Sequence, residues 1–143
     1  MAILEAREFV DTNVLVYAYE PDAGDRHLAA RELVARLGGS RRAAISVQVL
    51  QEFHVTMTRK MAHAAYTPEV ARARLQMLSR WPVHSPSADD VVAAAEISAE
   101  SQVSLWDAMI VRSANRMGCA VLWTEDLNPG QVISGVRIQS PFA

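Results

Sequence analysis

The chain is short of the residues that cross-link, anchor or export a protein. It has a single cysteine, Cys119, which excludes an internal disulfide and any multi-cysteine zinc site. It has a single lysine, Lys60, so nearly all its positive charge is arginine. Aromatic residues make up 6%, three each of Trp, Tyr and Phe. No apolar run approaches the ~18 residues that a membrane span requires, so no membrane partner is expected. The N-terminus lacks a basic stretch followed by an apolar one, so no secretory leader is expected and the expected location is cytoplasmic. There is no internal repeat and no low-complexity segment.

What is present is an ordinary globular composition. Of 143 residues, 50% are hydrophobic and 21% charged, which suits one domain over residues 1–143 with its own core. The net charge of −2 conceals an asymmetry. Between Arg26 and Arg80, ten basic residues face three acids, a balance of +7, and the remainder has four Arg against thirteen acids, or −9. A basic middle beside an acidic remainder suits a phosphate-bearing substrate lying across a metal site. Solvated helix faces of mixed sign account for it equally well.

The hydrophobic pattern alternates strand and helix. Strands are read over Glu8 to Asp11, Ala43 to Ser46, Trp81 to His84 and Ala120 to Trp123, with a fifth at Val136 to Ile138. Helices are read from about Asn13 to Tyr19, Arg26 to Leu37 (stopping at Gly38-Gly39) and Val47 to His63. Thr67-Pro68-Glu69 opens a further helix with a cap, a proline at the first position and an acid in the first turn, reaching about Ser79. Ser87-Ala88-Asp89-Asp90 opens another with capping-box spacing, and Ser104 opens the last, ending at Met117-Gly118. Alternation of this kind implies an α/β fold with a mainly parallel sheet of four to five strands covered by helices on both faces.

Acids fall at informative places. Asp11 closes strand one and is followed by Thr12-Asn13 and a new periodic run. It stands either at the ligand-binding edge of the sheet or as a helix cap. Glu52 lies in the long helix beside Val49, Leu50 and Phe53, as a site residue or an exposed rim residue. Asp107 ends the capping pattern Ser104-Leu105-Trp106-Asp107, yet shares a helical face with Ile110, Val111 and Ala114, which turns it inward. Asp126 follows strand four and is either a cluster member or a turn residue before Leu127-Asn128-Pro129-Gly130; Glu125 is its outward neighbour by alternation. Jointly, the four acids can converge at one sheet edge, and such a cluster calls for a hard cation.

These motifs are similar to those of the PIN-domain ribonucleases, and within them the VapC-type toxins of bacterial toxin–antitoxin pairs. The matching residues are Val10-Asp11-Thr12-Asn13-Val14-Leu15, Gln51-Glu52-Phe53, Ser104-Leu105-Trp106-Asp107-Ala108 and Leu122-Trp123-Thr124-Glu125-Asp126-Leu127, with a tail Gly135 to Phe142 of the same character. The resemblance implies a three-layer PIN-like fold and places the family's acidic quartet on Asp11, Glu52, Asp107 and Asp126. It implies an endoribonuclease that acts on RNA, dependent on Mg2+ or Mn2+, with a cognate antitoxin protein as partner. A PIN nuclease of RNA maturation, outside toxin–antitoxin pairs, has the same motifs.

Four carboxylates within a few ångströms repel one another and would take up protons without a cation. A hard ion with oxygen ligands resolves this and supplies phosphodiester chemistry. Asp11 and Asp107 are expected to be the principal ligands. Glu52 and Asp126 would act through water or orient the nucleophile. Asn13 and Thr124 would support the ligands from behind with an amide and a hydroxyl. Arg41, Arg42, Arg59 and Lys60 are the expected RNA phosphate contacts.

His27, His54, His63 and His84 show no metal-ligand spacing. Trp81, Trp106 and Trp123 are expected in the core, with base stacking a lesser alternative. Met57 and Met61 share a helix face and read as core or a dimer surface, and a homodimer is expected. Among other classes, a non-catalytic receiver-like module would need an acceptor aspartate after its third strand and a lysine after a late one. Here strand three ends at His84-Ser85, and the only lysine lies in a helix. A phosphatase of D-x-D type would need an acid where Asn13 stands.

Overall fold

The computed structural model describes residues 6–62 and 65–142. A parallel sheet forms its middle layer: β1 (Arg7–Val10), β2 (Ala43–Ser46), β3 (Val83–His84), β4 (Cys119–Trp123) and β6 (Val136–Gln139), with the two-residue β5 (Val132–Ile133) antiparallel at one edge. The helices are α1 (Thr12–Ala18), α2 (Asp25–Ser40), α3 (Val47–Lys60), α4 (Pro68–Leu78), α5 (Ala88–Ser101) and α6 (Leu105–Arg116). The fold is the expected three-layer α/β arrangement. Strand order is β3-β2-β1-β4-β6-β5.

That order decides where a site can form. From β1 the chain moves outward to β2 and β3, then returns to lay β4 against the other side of β1. The carboxyl ends of β1 and β4 therefore flank the point where the winding reverses, and such a crevice is where open α/β sheets bind ligands. Every residue of β2 is buried, as are the last three of β1. This two-sided burial is what a parallel sheet covered by helices requires. Phe9, Leu15, Leu37, Ile45, Phe53, Leu122 and Ile138 are the large fully buried side chains that join the layers.

Several boundaries differ from the sequence reading for physical reasons. The sheet has six strands among the described residues, because Ser134 (φ 50°) and Gly135 (φ 77°) turn a short hairpin between β5 and β6. Two consecutive positive-φ residues are the signature of a tight hairpin turn. Helix α2 does not stop at Gly38-Gly39 but runs to Ser40, and the left-handed cap falls on Arg41 (φ 59°). Gly38 lies against Trp81, where a Cβ would stand 3.7 Å from the indole; the glycine marks a helix packing closely rather than ending. Helix α3 ends at Lys60, and His63 lies outside the described residues. The caps at Thr67, Ser87 and Ser104 form as expected, with a reciprocal capping box between Ser87 and Asp90.

Candidate active site

Asp11 stands at the sheet edge and also acts as a helix cap. It ends β1 and caps α1: Oδ1 accepts from the Thr12 N–H at 2.7 Å, while Oδ2 accepts from the Thr124 hydroxyl at 2.8 Å. Thr124 is fully buried just beyond β4, and its Oγ1 in turn accepts from the Asp126 N–H at 3.0 Å. The Asn13 amide donates to both carboxylate oxygens of Asp126, each at 3.1 Å. The segments following β1 and β4 are thus tied into one ring through two carboxylates, a hydroxyl and an amide.

Glu52 projects from α3 and is exposed. Its Oε1 accepts from Gln48 Nε2 at 2.7 Å, and the same nitrogen donates to the Trp106 carbonyl at 3.2 Å, joining α3 to the start of α6. Asp107 stands in the first turn of α6, where its backbone N–H donates to Ser104 Oγ at 3.1 Å. The cap therefore uses the backbone and leaves the carboxylate uncommitted to it.

The electrostatics couple the four acids. Burial, with no cationic partner, pushes the Asp11 carboxyl up to about 7, and the charges of Asp126 and Glu52 add to the rise, while the Thr124 and Thr12 hydrogen bonds oppose it. Asp126 is also raised, first by desolvation, then by Asp107, Glu125 and Glu52. Each carboxylate is within electrostatic reach of another, and the groups bonded to Asp11 and Asp126 are neutral donors. Among the described residues no three His, Cys, Asp or Glu side chains close into a ready metal cage. An oxygen-only donor set around a buried carboxylate fits a hydrated hard cation, which is held by one or two carboxylates and keeps several waters.

A family model for the PIN domain matches residues 9–132. The chain belongs to the PIN domain family. PIN domains generally use divalent metal ions, in keeping with the donor set here. The fold is shared with solved structures. One is a chain of the DNA-bound VapBC complex of Salmonella typhimurium, at 23% identity and TM-score 0.67, with 96% of this chain and 99% of that one covered. Another belongs to a toxin–antitoxin complex of Klebsiella pneumoniae, at 20% identity and TM-score 0.69, covering 96% and 98%. A third is VapC20 of Mycobacterium tuberculosis, described as a toxin that cleaves the sarcin–ricin loop, at 26% identity and TM-score 0.62, covering 83% and 91%. Among curated proteins, none matches the sequence significantly.

Within this PIN domain the basic residues fall elsewhere. Arg41 and Arg42 precede β2, at the sheet edge opposite the acids, and Arg42 pairs with buried Glu8 at 2.9 Å. Lys60 reaches Glu20 at 3.3 Å and lies over the Tyr17 ring, while Arg59 is exposed at the end of α3. Sequence reasoning overlooked Gln48, although a glutamine four residues before Glu52 on a helix was a readable signal. Trp106 is not a core residue: it is 70% exposed. Trp81 and Trp123 are partly buried and pack against the core. Met57 is buried, and Met61 packs beside the core. Cys119 is buried, its thiol pushed up to about 12 by desolvation, which leaves it inert as a nucleophile. A groove of about 580 Å3 between α3 and α4, lined by Leu50, His54 and Leu75 among others, includes none of the four acids. Among the described residues no helix is long and apolar enough to cross a membrane.

Proposed function

We propose that this PIN domain is an Mg2+- or Mn2+-dependent endoribonuclease, the toxin of a VapBC-type toxin–antitoxin pair. The observation that carries the reading is Asp11, buried at the winding reversal, raised to about 7 and surrounded by acids and neutral donors. Asp11 and Asp107 would hold the ion. When bound, a divalent ion lowers the pKa of water and neutralises charge on phosphoryl oxygens. Thr124 and Asn13 keep Asp11 and Asp126 in fixed rotamers, so the donor oxygens are positioned before substrate arrives. Glu52 and Asp126 orient the attacking water and accept its proton. RNA as substrate is supported by the likeness to VapC20, a toxin that cuts an RNA loop. Arg59 and Lys60 supply phosphate contacts along α3. Arg41 and Arg42 can contribute only to RNA that runs past the amino-terminal end of β2.

The toxin assignment is supported by the likeness to chains of toxin–antitoxin complexes. The cognate antitoxin would place a basic side chain among the carboxylates, a role suited to the planar, five-donor fork of arginine. The direct test is Mg2+-dependent cleavage of RNA by the parent chain, by Asp11→Asn and by Asp107→Asn. Cleavage by the parent that both substitutions and excess chelator abolish is the expected result. Full activity in either variant, or in chelator, would overturn the reading. For the toxin assignment, growth arrest on expression should be relieved by co-expressing the adjacent small gene, and unrelieved arrest would overturn that part alone.

A further inference from the structure

Helix α6 begins with Leu105, Trp106 and Asp107 in succession. Tryptophan is among the more buried residues on average, yet the Trp106 side chain faces solvent at the rim of the acidic site, one residue from Asp107. Its backbone is nonetheless fixed. Gln48 Nε2 holds the Trp106 carbonyl at 3.2 Å and Glu52 Oε1 at 2.7 Å together, so the backbone that bears the indole is joined to the helix that carries Glu52. Ser104 secures the turn from the other side through the Asp107 N–H. Leu105 beside it is also exposed.

A polyanionic substrate meets repulsion here from four carboxylates, while Arg42 lies at the opposite sheet edge and Lys60 is engaged with Glu20. Beside the acids, where Arg26 is also engaged, with Glu125, an attraction that needs no charge adds to the phosphate contacts along α3. An exposed aromatic face supplies it, because every nucleobase has a π-face that stacks on indole, whatever its sequence. Stacking requires a base free of its own helix. We propose that Trp106 is the stacking platform for an unpaired nucleobase adjacent to the scissile phosphate, selecting unpaired over duplex RNA. This rests on the nuclease reading and deepens it. Gln48 is the positioning residue that couples the platform to Glu52.

The test uses the full chain in an Asp11→Asn background, so that RNA survives, with single-stranded oligoadenylate and the same strand paired to oligouridylate as probes. Oligoadenylate should change tryptophan fluorescence in the Asp11→Asn chain, and Trp106→Phe should remove that change while retaining most of the affinity. Trp106→Ala should weaken binding of the single strand by roughly five- to 150-fold and leave binding of the duplex unaltered. Because the lost contact carries no charge, the slope of log affinity against log salt should stay the same. Equal affinity of Trp106→Ala and its background for oligoadenylate would overturn the platform. So would a change in sedimenting mass on Trp106→Ala, which would assign the indole to a contact between copies of the chain. The two readings fail separately: a parent that cuts no RNA in Mg2+ sinks the nuclease, whereas a parent that cuts RNA beside a Trp106→Ala chain with undiminished binding sinks only the platform.

Discussion

Two buried aspartates in this fold meet opposite fates. Asp11, at the end of β1, is pushed up to about 7, while Asp90, in the first turn of α5, is drawn down to about 2. Both lie at helix amino-termini, and both are almost wholly inaccessible, at 5% and 3% exposure. Lack of solvent contact alone therefore does not decide their charge: desolvation dominates at deeply placed Asp11, whereas hydrogen bonds and cations dominate at Asp90. Asp90 accepts from the Ser87 N–H at 2.9 Å and from Arg112 Nε at 2.8 Å, with Arg116 and His84 Nε2 close by at 3.7 and 3.4 Å. The protein has supplied it with cations. Asp11 receives only a hydroxyl and an amide N–H, with further acids beyond them. One carboxylate is electrostatically complete and structural. The other is left without a cation, in keeping with the metal-holding role proposed for it.

Exchanging one charge at each centre should break the comparison most sharply. Asp11→Asn should reduce Mg2+-dependent RNA cleavage by more than the roughly 10- to 100-fold typical of losing a group that merely supports a ligand. It should leave the melting temperature unchanged or raised, because a buried charge without a cationic partner has been removed. Cleavage kinetics beside a thermal melt check both halves, and a destabilised Asp11→Asn would undo the contrast.

Asp90→Ala should do the reverse, costing roughly 2–3 kcal/mol of stability, since it removes the reciprocal half of the α5 capping box and strands part-buried Arg112. Denaturant unfolding measures this. The pH dependence has a definite sign. A depressed carboxyl stabilises the fold fully above its unfolded value of about 3.9 and loses that contribution as pH falls toward its folded value. The stability gap between the parent chain and Asp90→Ala should therefore be constant near neutrality and close between about pH 4 and pH 2. A gap that persists at pH 2 would mean that the ion pairs with Arg112 and Arg116 contribute little.

Smaller again is Thr124→Val, which keeps the shape but removes the hydroxyl that bonds Asp11 and receives the Asp126 N–H. It should weaken activation by Mg2+ by about 10- to 100-fold, seen as a higher metal concentration for half-maximal cleavage, with saturated activity less affected. The smallest effect belongs away from both centres. Gln102 caps α5 in the left-handed conformation, φ 55° and ψ 44°, which glycine adopts without a Cβ penalty. Gln102→Gly should stabilise by about 0.5–1 kcal/mol, read from the same unfolding curves, with cleavage unchanged.

The contrast between the centres also explains what the sequence disclosed. Local signals carried through: the Ser87-x-x-Asp90 box, the Thr67-Pro68 opening and the Ser104 cap are each settled within one helical turn. The alternation of strands and helices led to the three-layer fold for the same reason. The stop expected at Gly38-Gly39 does not occur, and Gly38 instead serves close packing against Trp81, more than forty residues later. Arg42 read as a loop cation because nothing nearby in sequence announces its pairing with Glu8 across the sheet. Strand β5 escaped notice at two residues, although Ser134-Gly135 between apolar neighbours was a hairpin signal. Trp106 shows the limit most clearly: composition makes tryptophan a core residue, and only the placement of α6 turns it outward.

The ring that ties Asp11 to Thr124 closes across 113 positions of the chain. A ribosome making this protein delivers Asp11 early and must then add most of the remaining residues before its hydroxyl partner exists. Synthesis at about 5–20 residues per second therefore opens an interval of several seconds in which the emerging polypeptide has no complete acidic ring. Only when β4 slides in beside β1 do the scattered carboxylates become neighbours. Partly made chains, and fragments truncated before Cys119, should be harmless to the RNA around them for that reason.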